Sequence, residues 1–189
     1  FSLLAGVQDV SFSVEALAGK LEGDFRLEDG AWKLDTRLSG LNLARLAFLG
    51  SMLGQELTGK VSGNLELHVD PKDIKATRGE INLDLVQGQL GNGKIYGVTL
   101  PWISLGKTQA SITIQKGKAE IKSFKVSSDD VEAGLDGYFI LQQKLEHLSS
   151  HCKVRFKLSE EKMGEIRKQI PPEFHAMLDR ELDRAKGQD

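Results

Sequence analysis

Between residues 57 and 69 the chain alternates. Leu57, Val61, Leu65, Leu67 and Val69 take odd positions, with Gly59 and Gly63 in the same row. Thr58, Lys60, Ser62, Asn64, Glu66 and His68 take the even ones. A two-residue period predicts a β-strand with one apolar and one wet face. The same period recurs at Val10–Ala16, Leu21–Leu27, Trp32–Leu38, Ile81–Leu85, Ala110–Ile114, Val131–Leu141 and Leu148–Leu158. Asp29-Gly30, Asn92-Gly93 and Lys116-Gly117 punctuate these runs, and Asp-Gly and Asn-Gly are the strongest short-range hairpin signals. Asp70-Pro71-Lys72-Asp73 predicts a further turn. The row that starts at Ala119 and Ile121 slips to Phe124 and Val126, which predicts a β-bulge near Ser123. Pro101 and Trp102 suggest an edge or a crossover, because proline gives no N–H to a ladder.

Two stretches leave this rhythm. In residues 43–54, Leu43, Leu46, Leu49 and Leu53 follow helical spacing, and Phe48 and Met52 widen the apolar side. Such a helix either caps a core or lies as a lid against something apolar, with Leu46, Phe48, Leu49 and Met52 as the contact residues. The second stretch starts at Ser159. Ser159 is placed to cap a helix carrying Glu160 and Glu161 in its first turn. Pro171 ends that helix and Pro172 starts another, with Phe174, Met177, Leu178 and Leu182 as its stripe. The predicted organisation is a β domain over residues 1–158 with the short helix inserted, then C-terminal helices over 159–189.

Composition narrows the function classes. The chain has 189 residues, 40% hydrophobic and 28% charged, with a net charge of -2. Nucleic-acid binding therefore has no electrostatic support. The single cysteine, Cys152, excludes an internal disulfide framework. No run of about 18 apolar residues is present to span a membrane. Phe1 to Val7 lack an initiator Met and a basic flank, and read as the cut edge of a larger protein whose membrane anchor lies upstream.

Candidate chemistry is sparse. His147, His151 and Cys152 are the one cluster of metal-ligating types, but His151 shares parity with Lys153 and Cys152 with Val154. Opposite faces of one strand do not converge on one ion, so no metal site is expected, and Cys152 is expected to face the core. Ser149 and Ser150 lack a G-x-S-x-G elbow. The glycines at 88, 91 and 93 have the wrong order for a dinucleotide fingerprint. Asp129-Asp130 reads as a solvated loop pair without calcium-loop spacing. Trp32 and Trp102 read as core or edge packing. No catalytic residue and no cofactor is assigned.

One longer pattern stands out: Val98-Thr-Leu-Pro101-Trp-Ile-Ser-Leu-Gly106, Ile112-Thr-Ile-Gln-Lys-Gly117, Lys122-Ser-Phe124 and Val131-Glu-Ala-Gly-Leu135-Asp-Gly137-Tyr-Phe-Ile-Leu141. It resembles the GspN-type proteins of bacterial type II secretion gene sets, and more broadly the AsmA and TamB class of periplasmic β-sheet proteins. Leu57-Thr-Gly59-Lys-Val-Ser-Gly63-Asn-Leu-Glu-Leu67 has the cadence common in that class. The resemblance covers most of residues 1–158. It implies an envelope protein of a Gram-negative cell, anchored to the inner membrane and projecting into the periplasm. The wider class implies a bent sheet with an apolar groove and a link to lipid movement. The GspN likeness implies an accessory role beside a secretion machine. It carries over no catalytic residues.

The expected fold is thus mainly β: a long, twisted antiparallel sheet curled into a half-pipe or flattened barrel, with a helix near 43–54 and a C-terminal helical pair. The expected groove is apolar and lined by Leu57, Val61, Leu65, Leu67, Val131, Leu135, Phe139, Val154 and Phe156. Its expected occupant is a lipid acyl chain or an apolar partner segment. The alternative is a scaffold that docks on a secretion-system or other envelope protein through an edge strand or the C-terminal helices. A hydrolase or lyase would need a pocket of converging polar groups.

Overall fold

Alternation and turn chemistry together build an up-and-down meander. The computed structural model of the chain describes residues 8–28, 30–46, 54–95, 98–142 and 149–170, together with 172 and 175. The strands are β1 (Gln8–Ala16), β2 (Gly19–Glu28), β3 (Ala31–Asn42), β4 (Glu56–Val69), β5 (Arg78–Gly91), β6 (Lys94–Ile95), β7 (Val98–Thr99), β8 (Ile103–Gln115), β9 (Lys118–Ser127), β10 (Val131–Ile140) and β11 (Ser149–Leu158). One helix, α1 (Glu160–Gln169), follows. Nine strands pair in the order β1-β2-β3-β4-β5-β8-β9-β10-β11, every contact antiparallel, and β6 and β7 form a separate ribbon. β1 and β11 are the two ends of the sheet and do not pair, so the predicted barrel does not close.

The register puts the apolar rows of all nine strands on one face. One rung runs Val10, Phe25, Leu34, Leu67, Gly79, Ile114, Ala119, Phe139, Ser150 from edge to edge. Because side chains alternate, one added residue would turn the rest of a strand inside out. Bulges absorb that shift. Extra residues at Ser39-Gly40 in β3, Val86 to Gly88 in β5, and Lys122-Ser123 in β9 keep Leu41, Leu90 and Phe124 on the face of Leu38, Leu85 and Ile121. In β8 the shift falls at Gly106, with φ 52°. A Cβ there would lie 2.4 Å from the Ser127 carbonyl oxygen, so only glycine fits.

The best-packed corner lies where β8, β9, β10 and β11 meet. Ile103, Val126 and Val131 are buried there, against Leu105, Phe124, Ala133 and Leu158. The β9–β10 turn laces this corner. The Ser104 amide donates to Asp130 Oδ2 at 2.7 Å, and Ser128 Oγ donates to the Ser104 carbonyl at 2.6 Å. The Ser159 amide donates to the Asp130 carbonyl at 2.8 Å, which fixes where α1 begins. Ser159 Oγ then accepts from the Lys162 amide, capping the helix as predicted.

Some expectations need correction, and others fall on residues outside those described. Asn92-Gly93 is not a hairpin turn between long strands: it is a corner between β5 and the β6–β7 ribbon, where the Asn92 amide donates to the Leu100 carbonyl and the Leu100 amide to the Gly93 carbonyl. Asn92 does take the positive φ, 57°, that suits its residue type. Pro101 precedes β8, an interior strand, so it does not mark an edge; it lies in the connection that runs from β5 through the β6–β7 ribbon to β8. In the region predicted as a helix, Leu43–Arg45 form a 3-10 turn capped by Asn42 and Leu46 follows, while Phe48, Leu49 and Met52 lie outside the described residues. The second C-terminal helix likewise falls almost wholly outside them. Asp130 is half-buried and hydrogen-bonded, not a solvated loop carboxylate. Trp32 and Trp102 are exposed.

Candidate functional site

The apolar face is the first candidate. Among the described residues no second layer of structure packs across it: the nine strands form a single sheet, α1 has no buried residue, and no side chain is fully buried. Its middle is mostly half-buried, with Thr36, Leu41 and Leu85 buried. Leu57, Val61, Leu65 and Leu67 are all of intermediate exposure, as are Leu135 and Phe139. Buried apolar side chains are most numerous on β8 and β9, where Ile114, Ala119, Ile121 and Val126 are 6–8% exposed.

The predicted groove residues share this face but do not form one cluster. Leu135 lies opposite Val154, Ala133 opposite Phe156, and Val131 opposite Leu158, so the β10 and β11 members touch across one ladder. The β4 members sit four strand spacings away, about 19 Å in a flat sheet. Ile81, Leu83, Ile112 and Ile121 bridge the gap, and these are the face residues that the most regular rows left out. Val154 and Phe156 are 63% and 62% exposed, because β11 has a neighbour on one side only. Cys152 lies on the apolar face as its parity implies, opposite Gly137, yet it is exposed where burial was expected. The cause is the same: the face is uncovered at that edge. His151 points to the other face, tilted against the Tyr138 ring at 4.9 Å.

At one end of the strands Leu46 and Leu57 line a shared cavity of about 470 Å³ with Leu43, Gln55 and Asn92. A proposed lid residue and a proposed groove residue therefore meet at one mouth of the sheet.

The wet face carries a second concavity, about 950 Å³. Its floor is ordered by charge. Asp24, Asp35, Glu66 and Glu80 form one rung across four strands, and Arg26, Lys33, His68 and Arg78 form the next. Like charges directly opposite one another are unfavourable, and the neighbouring rung of opposite sign offsets that. Arg26 pairs with Asp9, which raises its pKa through the hydrogen bond and the charge. Lys33 pairs with Glu28 and holds that carboxylate below its ordinary pKa, first through the hydrogen bond and then through the charge. Lys75, Thr77 and Lys116 close one end of the trough. Thr77 is 3% exposed, and its hydroxyl finds no partner among the described residues. Among the described residues neither Thr77 nor Thr113 donates to His68 or to a carboxylate; the one hydroxyl held on a trough carboxylate is that of Ser11, which donates to Asp24 Oδ1 at 2.6 Å with no histidine beside it to form a relay. Among the described residues no group of three or more His, Cys, Asp or Glu is placed to hold a metal ion.

No helix among the described residues is long and apolar enough to cross a membrane. No family model, curated protein or solved structure matches the chain.

Proposed function

We propose that this chain is a non-catalytic envelope protein whose apolar sheet face binds an acyl chain or an apolar segment of a partner. One observation carries the reading: a nine-strand sheet keeps every apolar row on a single face, and the described residues supply no layer to cover it. Four bulged strands preserve that face across shifts of register, a costly arrangement for a surface with no use. Bulges and strand twist together curl the sheet into a half-pipe with the apolar rows inside. Nine strands span about 38 Å, eight spacings of about 4.8 Å, which exceeds the length of a common acyl chain. Each methylene taken out of water contributes about 0.8 kcal/mol, so a single chain binds without polar contacts. The mouth near Leu46 and Leu57 is the entry. The resemblance to the GspN-type and AsmA-like proteins adds the setting: the periplasm, at the inner membrane, and a role in lipid handling or type II secretion.

Organic extraction of the purified protein followed by mass spectrometry tests this. Co-purifying lipid, displaced by a fluorescent fatty acid and lost in Leu65→Ser/Leu67→Ser, is the expected result. A lipid-free protein that also fails to take up the fatty acid refutes it.

The exposure of β11 favours a second reading, a scaffold that offers an edge strand to a secretion-system protein. That reading predicts capture of such a partner without any bound lipid, and loss of capture on deleting residues 149–170.

A further inference from the structure

We infer that β11 is a joining edge for β1 of a second copy of this chain, pairing in parallel and extending the apolar face from one molecule to the next. The inference starts from strand count. In a meander of nine strands the directions alternate, so the first and the ninth run the same way. A second copy that keeps its apolar face on the same side has three ways to add to an edge. It can set β11 against β11 antiparallel, β1 against β1 antiparallel, or β11 against β1 in parallel.

Charge separates the three. The wet row of β11 is His151, Lys153, Arg155 and Lys157, all exposed. Arg155 pairs with Asp136, whereas among the described residues no ion pair holds Lys153 or Lys157, although they lie opposite Asp136 and Glu132 in the ladder. Setting β11 against itself brings two such rows face to face, and like charges opposite one another oppose pairing. The wet row of β1 is Asp9, Ser11, Ser13 and Glu15. Setting β1 against itself sets carboxylates against one another. Only the β11–β1 contact joins opposite signs.

The two strands also match residue for residue. With Asp9 beside His151, the parallel register continues Ser11 beside Lys153, Ser13 beside Arg155 and Glu15 beside Lys157. The other face then places Val10 beside Cys152, Phe12 beside Val154, Val14 beside Phe156 and Ala16 beside Leu158. Each acidic residue meets a basic one, each hydroxyl meets a cation, and every apolar side chain meets another. The large exposed side chains at the two ends, Val10 at 54%, Val14 at 48%, Val154 and Phe156, are those this contact covers. Asp9 already holds Arg26 within its own sheet and would bridge to His151 across the joint. Parallel pairing is slightly weaker per residue than antiparallel, so the association is concentration-dependent and sensitive to salt.

Sedimentation velocity over a concentration series, at low and high salt, tests the inference. The wild-type chain is expected to associate at low salt and to dissociate at high salt. Lys157→Glu alone and Glu15→Lys alone are each expected to weaken association about tenfold, by replacing an attractive cross-strand pair with a repulsive one. An equimolar mixture of the two variants is expected to associate as the wild type does, because each supplies the charge the other lacks. Misfolding of either variant cannot produce that rescue. Val10→Cys is expected to form a disulfide with Cys152 of another copy under mild oxidation. A wild-type chain that stays monomeric throughout overturns the inference. So does a mixture no better than its components, a gain of association in Lys157→Glu alone, or a predominance of Cys152–Cys152 bridges. A monomer that still carries extractable lipid would remove this inference and leave the acyl-chain reading standing.

Discussion

Truncating Leu65 to alanine measures directly whether the apolar face is open. Leu65 sits in the middle of β4, opposite Thr36 on one side and Ile81 on the other. The truncation removes three carbons, worth about 2.4 kcal/mol if all of them leave water on folding. Leu65 is only half-buried, and the described residues place no second layer above it, so no closed cavity forms and the cavity contribution is absent. The expected cost is therefore about 1–2 kcal/mol, below the full transfer value. Ile121 loses the same number of carbons on truncation, but it is 8% exposed and flanked by β8 and β10. There the expected cost is about 2.5–4 kcal/mol, in the range of large-to-small changes in a packed core. Urea unfolding followed by circular dichroism gives both numbers, provided the slope with denaturant is unchanged. A loss above about 3 kcal/mol at Leu65 would mean that something packs on it in the native state. The uncovered face, and the groove with it, would then be refuted.

Other predictions follow from local features. Leu17 and Ala18 form the β1–β2 turn with φ 53° and 57°, a left-handed pair that costs about 1–3 kcal/mol per residue in strained cases. Replacing them with Asn-Gly is expected to raise Tm by several degrees, read by differential scanning calorimetry. Asp130→Ala leaves the half-buried Ser104 amide without its acceptor and is expected to cost about 1–3 kcal/mol in urea unfolding. Glu28 is held below its ordinary pKa by Lys33, so its contribution to stability is present above the unfolded carboxylate pKa and is lost as pH falls through the lower, folded value. Lys33→Met is expected to move the Glu28 titration upward in carboxylate-detected NMR; an unmoved midpoint would refute the pairing. At high salt, where the chain is expected to be monomeric, Cys152 is expected to react with a thiol reagent in the folded protein about as fast as in urea, since it is exposed in the single chain.

Much of the fold was legible because parity is a local property. The rows of Leu57 to Val69 and Val131 to Leu141 needed only alternation to be placed on one face, and the slip from Ile121 to Phe124 announced the β9 bulge. The bulges at Ser39-Gly40 and Val86 to Gly88 were harder, because each falls where the apolar row already thins out. Asn92-Gly93 misled for a physical reason: positive φ at Asn serves a hairpin turn and a corner equally well, and only the partner strand tells them apart. Exposure at Cys152, Val154 and Phe156 was hidden because alternation says which face a residue takes, not whether anything covers it. The charged trough was hidden too. Alternate charges mark a wet face, but their sorting into acidic and basic rungs depends on registers that the bulges set. Asp130 gave no signal, since its acceptor role rests on a backbone amide 26 residues earlier.

The meander has one more consequence, for how such a protein changes length over evolution. Each long strand hydrogen-bonds only to the long strands before and after it, so a hairpin added or lost anywhere leaves every other pairing as it was. Two strands widen the sheet by about 9.6 Å. The reach of the greasy surface is thus a counted quantity, adjustable in whole hairpins by simple duplication, with no rewiring of the chain.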